Sequence, residues 1–237
     1  MPKLLAAMIL LSLLSVRSNS GQAPVAAIAT QAASHAEFLD AIRAHDAVQF
    51  ARLLDRGHPQ DVSVLLLSAI ERCDAAIAKL LLAHGANPNF GIDGPAETPL
   101  IGTARVGCWE VADMLLTAGA HPDGRAGFVN RAQFPLYAAL YYRHRRVAVM
   151  LVRAGANPNA RYGIGDAGQL FLGPGQGQTP LMEAARQGDV EMVESLLDRG
   201  ADPSLTDEKG RRAIDWLKEH QAAVDRITTR LRSPPKH

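Results

Sequence analysis

In VEMVESLLDRG, residues 190 to 200, Val190, Met192, Val193, Leu196 and Leu197 fall on one face of a 3.6-residue period, with charge on the other face. The pattern predicts a short amphipathic helix that stops at Gly200, where a left-handed residue ends a helix cheaply. The same ending recurs along the chain. HGANPNF, AGAHPDG, AGANPNA and RGADPSL each follow an apolar pair or its equivalent (Leu81-Leu82, Leu115-Leu116, Leu151-Val152 and Leu196-Leu197), and LLDRGHPQ is an earlier, weaker copy. A second apolar anchor precedes each ending at a fixed distance. Phe38, Leu66, Leu100, Leu136 and Leu181 each stand 19 residues before Gly57, Gly85, Gly119, Gly155 and Gly200. Those glycines are 28, 34, 36 and 45 residues apart, so one unit of about 33 residues has been shortened once and lengthened once.

Local signals divide each unit into two helices. Thr98 and Thr179 are predicted to cap a helix start, with Pro99, Pro135 and Pro180 at its first position, where the missing N–H costs nothing. Ala104, Ala139 and Ala185 leave room for a close neighbour. A turn such as Gln187-Gly188-Asp189 then leads into the second helix.

The recurring T-P-L-x-x-A-A, the G-D/H-x-E-x-V turn and G-A-N/D-P-N resemble ankyrin repeats, over roughly residues 35 to 230. QTPLMEAARQGDVEMVESLLDRGADPSLTDEKG is close to a whole consensus unit. The resemblance implies an all-α solenoid of about six helix-turn-helix units, with projecting β-turn loops and a concave binding face. The end units depart from the pattern: the first lacks T-P-L, and RRAIDWLKEHQAAVDRITTRL lacks the terminal Gly. End units of a repeat array must be wetted on one face.

Outside the repeats, residues 1–20 have the layout of a secretory signal peptide, with Lys3, an apolar run from Leu4 to Leu14, and small polar residues before Gly21. Residues 21–34 read as a flexible leader, 35–232 as the repeat domain with a long insertion at 160–178, and 233–237 as a tail. The expected protein is exported, periplasmic first and secreted second. It thus resembles small exported bacterial ankyrin-repeat proteins.

The whole chain has 25 basic and 24 acidic residues; without Lys3 and Arg17 the balance is −1. That balance gives no electrostatic footprint for nucleic acid or an anionic membrane. Aromatics are only 5% of the residues, so small aliphatic side chains must build the core.

Chemistry-bearing patterns are few. GIGDAG at 163–168 matches G-x-G-x-x-G, but NPNARY before it reads as a turn, and QLFLGPGQGQ after it cannot open a helix. No cofactor is expected. The eight histidines are scattered, His84 and His121 at loop edges, without metal-ligand spacing. Catalysis is not expected, because no nucleophile has an identifiable base. Cys73 and Cys108 sit one residue out of register in adjacent repeats. Helix packing at about 8–10 Å favours two separate thiols over a bridge, although turn ends can close that gap.

The family resemblance also marks a surface. The fifth and sixth positions after each anchor are Arg43/Ala44, Glu71/Arg72, Arg105/Val106, Tyr141/Tyr142 and Arg186/Gln187. Arg and Tyr are common binding hot spots, and an arginine ladder suits a carboxylate-bearing partner. Arg72, Arg105, Tyr141, Tyr142, Arg186 and Gln187 are therefore candidate partner-binding residues. Glu97, Gln133 and Gln178 would line the loop side. Arg143 to Arg146 read as a solvated turn, and Trp109 and Trp216 as packing. The 160–178 insertion is either a tolerated surface loop or a binding finger using Tyr162, Phe171 and Leu172. The expected partner is another protein, met by a monomer. An adaptor role and an inhibitor or immunity-type role, the latter using the loop, both stay open.

Overall fold

The computed structural model describes residues 33–57, 59, 61–91, 98–124, 134–161 and 177–217, all within one compact unit, Ala32–His237. Five helix pairs follow one another: α1 (His35–Arg43) with α2 (Ala47–Arg56), α3 (Val62–Glu71) with α4 (Ala75–Ala83), α5 (Pro99–Val106) with α6 (Trp109–Thr117), α7 (Pro135–Tyr141) with α8 (Arg145–Arg153), and α9 (Pro180–Gln187) with α10 (Val190–Asp198). A short α11 (Ala213–Trp216) begins a sixth unit. First helices stack on first helices, from α1 through α11, and second helices on second helices, from α2 through α10. The result is a two-row, all-α solenoid. Among the described residues, no helix is long and apolar enough to cross a membrane.

Capping and backbone geometry explain why each unit folds alike. Thr98 and Thr179 accept hydrogen bonds from Ile101 and Met182 N–H at 3.4 and 3.3 Å, with Pro99 and Pro180 following at the helix start. At the end of α4, α6, α8 and α10, Gly85, Gly119, Gly155 and Gly200 adopt φ between 85 and 88°. The alanine after each then donates back to the helix, as in Ala120 N–H to Leu115 O at 2.8 Å. This six-to-one bond satisfies a carbonyl that the helix end would leave orphaned.

The anchors fill the space between the rows. Phe38, Leu66, Leu100, Leu136 and Leu181 are all buried, and so are Ala104, Ala139 and Ala185. Each buried anchor contributes about 1.5–3 kcal/mol, and the alanines let neighbouring first helices approach. The first unit supplies bulk instead: Phe38 and Phe50 meet edge to face at 5.1 Å. Its α1 opens with a reciprocal cap, Ser34 Oγ accepting from Glu37 N–H and Glu37 accepting from Ser34 N–H.

Candidate protein-binding face

The turn from first to second helix needs one left-handed residue, and it is His45, Cys73, Gly107, Arg143 and Gly188 in successive units, with φ from 54 to 90°. The next residue is the N-cap of the second helix: Asp46, Asp74, Cys108, His144 and Asp189. Left-handed residue and following N-cap meet across the repeat boundary. His45 Nδ1 donates to Asp74 Oδ2 at 3.0 Å, while Asp74 Oδ1 caps Ile77 N–H. Cys73 and Cys108 form a disulfide with Cα atoms 5.3 Å apart. Gly107 lies against the His144 ring, whose Nε2 donates to Arg105 O at 3.1 Å.

The disulfide corrects the expectation of two separate thiols. Helix-axis spacing is the wrong measure at a turn, because the left-handed Cys73 is already beside the next N-cap. The one-residue offset in the sequence is what the pairing requires. Cys108 and His144 cap nothing on their own helices; they hold the preceding repeat instead.

The run Arg143 to Arg146 also differs from a solvated turn. Arg145 bridges Asp189 and Glu191 of the next unit, and the Arg146 guanidinium sits 3.1 Å from the centre of the Trp109 ring. Trp109 and Trp216 do pack on the core, as expected, but each also carries a cation, Arg146 and Arg211 respectively.

On the opposite, loop side a second line of contacts runs in register. Asn89 Nδ2 donates to Gly119 O at 3.0 Å and its Oδ1 accepts from His121 N–H at 2.9 Å. Asn159 repeats this with Gly200 O and Asp202 N–H. Asp123 occupies the same position but lacks a donor, and it only accepts, from Asn157 N–H at 2.7 Å. The base of the insertion is closed by Arg161, which donates to Gly177 O and Thr206 O. The added residues therefore leave the stacking of the fifth unit undisturbed.

The predicted residues stand at the ends of the first helices, directly before the first of these lines. Arg72 reaches back to Arg43 O at 3.4 Å, and Gln187 reaches back to Leu140 O. Tyr141 and Tyr142 are 44% and 45% exposed; with Val48 they are the large apolar side chains exposed among the described residues. Their rings touch edge to face at 5.2 Å, and Tyr141 stacks on Tyr137 at 6.1 Å. Tyr137 is itself buried, its hydroxyl donating to Gln178 Oε1 at 2.9 Å.

Arg186 and Gln187 converge on Glu183, a carboxylate that is 1% exposed. Hydrogen bonding to Glu183 is the main cause that raises the Arg186 pKa beyond its usual range. Sequence reading missed Tyr137, Gln178's role as its acceptor, and Glu183. The signal was present in the spacing: Tyr137 is four residues before Tyr141, and Glu183 is three and four before Arg186 and Gln187. Tyr162, Phe171, Leu172, Glu97 and Gln133 lie outside the described residues.

The geometry of α7–α8 and α9–α10 coincides with a family match: residues 133–162 and 176–208 fit the ankyrin repeat. Two of the chain's units are ankyrin repeats. Comparison with curated proteins finds no match. The two matched ankyrin units are the fourth and fifth, which carry Tyr141, Tyr142, Arg186 and Gln187. The first three units depart in sequence yet share the left-handed turn and the stacking. Ankyrin repeats are in general protein–protein interaction modules, which gives the aromatic and arginine row its context.

Proposed function

We propose that this protein is a non-catalytic binding module that presents the ends of its first helices, centred on Tyr141 and Tyr142, to another folded protein in an exported compartment. The observation that carries the reading is the exposed tyrosine pair on a buried support. With Tyr141 held by stacking on Tyr137 and Tyr142 by its edge-to-face contact with Tyr141, these two exposed side chains lose little conformational freedom on binding. Such rigid aromatic anchors are the usual centre of an interface. The exported compartment is supported by the Cys73–Cys108 bridge, which persists where thiols are not kept reduced, and by the signal-like residues 1–20.

The test uses chain from Gly21 onward as bait in an extract of the exported compartment, beside a Tyr141→Ala/Tyr142→Ala bait of equal helicity. The captured protein is then purified and its affinity for both baits measured. A loss of at least tenfold on the double variant is expected. Equal affinity removes the tyrosine pair from the interface.

A further inference from the structure

The bridge between Cys73 and Cys108 is asymmetric. Cys73 is the exposed, left-handed residue of its turn, whereas Cys108 is wholly buried at the N-cap of α6. Thiol–disulfide exchange passes through a mixed disulfide, and access decides which sulfur is attacked. The charge around Cys73 is mixed, with Arg72 and Glu71 exposed beside it and Asp74 held by His45. Access, not field, therefore directs an incoming thiolate to Cys73.

The array also tolerates loss of this bond. One repeat earlier the same position is closed by His45 with Asp74, and one repeat later by Gly107 against His144, neither of them covalently. The boundary that the bridge spans has further contacts. Asn89 joins it on the loop side through Gly119 O and His121 N–H. Gly102 of α5 lies so close to α3 that a Cβ there would stand 3.2 Å from Ile70 Cγ2. Cys108 Sγ is itself 3.6 Å from Ile70 O, so a freed thiol has an acceptor for its S–H at the same boundary.

From this asymmetry we infer that Cys73 is a thiol-exchange site, the sulfur at which an external dithiol opens the bridge, with Cys108 as the departing and returning thiol. One thiolate of the dithiol attacks Cys73 Sγ. A new S–S bond forms there, the bond to Cys108 breaks, and its electron pair leaves on Cys108 Sγ, which takes a proton from solvent. The second thiolate then attacks the dithiol's own first sulfur and displaces Cys73, which is protonated in turn. Two electrons and two protons pass to the protein, and the dithiol leaves as a disulfide. The second and third repeats stay joined by Asn89 and by helix stacking, so exchange loosens their turn edge and keeps the array assembled. The site does not use the tyrosine pair, which lies in the fourth unit.

The test treats the oxidised protein with reduced glutathione, quenches it in acid at early times and locates the adduct by peptide mass mapping. Glutathione is expected on Cys73 over Cys108 by at least tenfold. In concentrated urea, where both sulfurs are open, the ratio should fall to within about twofold. Dithiothreitol should release both thiols with helicity retained, and oxidised glutathione should restore the bridge. An even split in the folded protein, an excess on Cys108, a preference that persists in urea, or loss of helicity on reduction overturns the inference. So does the absence of any adduct under conditions that label the urea sample. Two single variants check the order separately. The thiol left in Cys108→Ser should react with an aromatic disulfide reagent at least tenfold faster than the thiol left in Cys73→Ser, and equal rates would also sink the assignment.

Discussion

Cys73 and Cys108 are joined as the left-handed residue of one turn and the N-cap residue of the next repeat's second helix. His45 and Asp74 hold the same relationship one repeat earlier, and Gly107 and His144 one repeat later. One structural position is thus filled in succession by a charged hydrogen bond, a covalent bond and a close steric contact. A solenoid is stable only through contacts between neighbours, so these pairs set how firmly the units act together.

The covalent pair closes a loop of sequence separation 35, and a constraint of that size stabilises by about 2–4 kcal/mol through the unfolded chain. Cys73→Ser/Cys108→Ser, or the native chain under a dithiol reductant, should lower the urea midpoint accordingly. Hydrogen exchange should show α1 to α4 opening more readily than α7 to α10. Uniform exchange along the array would mean that the bridge does not hold one boundary in particular.

Gly107 combines two requirements. Its φ is 90°, and a Cβ there would lie 2.5 Å from the His144 ring. Gly119, at φ 88°, has open space around it. Gly119→Ala should therefore cost about 1–2 kcal/mol from backbone strain alone, and Gly107→Ala about 1–3 kcal/mol more from overpacking. Adding His144→Ala to Gly107→Ala should recover part of the excess. A thermal unfolding series over the three variants reads this; equal losses at Gly107 and Gly119 would remove the imidazole contact from the account.

Asn159 both donates to Gly200 O and accepts from Asp202 N–H. Asn159→Ala removes both bonds and should cost about 1–3 kcal/mol, at roughly 1 kcal/mol per bond. Asn159→Asp keeps the acceptor and loses the donor, which is the situation already seen at Asp123. Its loss should be about half. Equal destabilisation by Ala and Asp in urea unfolding would show that the donated bond carries the whole effect.

The repeat register was legible because anchors and helix-ending glycines keep one offset, and the structure buries every anchor from Phe38 to Leu181. The tyrosine pair was legible as a departure from the arginine pattern. The contacts between repeats were not, because they join residues 29 to 46 positions apart whose pairing depends on a left-handed backbone at His45, Cys73 and Arg143. Nothing in those residue types announces φ near 60°; the equivalent Gly107 and Gly188 do. Arg145 and Arg146 looked like a solvated run because their partners, Asp189, Glu191 and Trp109, are distant in sequence. Glu183 drew no notice because a charged residue in a short helix is usually exposed, and only hydrogen bonds from Arg186 and Gln187 offset its burial.

Asp207 should set the acid limit of the fifth and sixth units. Burial by itself pushes its pKa up, but hydrogen bonds from Arg211 N–H, the Arg211 side chain and Lys209 N–H more than offset this and leave it below the ordinary 3.8. A carboxylate with a depressed folded pKa stabilises in full above its unfolded value. That stabilisation drains away as pH falls from about 4 through the lower folded value. The same Arg211 lies 3.8 Å over the Trp216 ring, so protonating Asp207 also loosens the clamp on α11. Asp207→Asn should cost about 1–3 kcal/mol at pH 7 and flatten the acid limb, so that variant and parent converge as pH falls through the lowered folded value. Urea midpoints from pH 7 to pH 2 test this, with Trp fluorescence as a probe of the end unit. A parallel fall in both proteins would assign the acid limb to other carboxylates, and the residual slope in the variant measures the combined share of those whose pKa is also lowered, Asp202 by its hydrogen bonds from the Ser204 side chain and N–H and Glu37 by those from the Ser34 N–H and side chain.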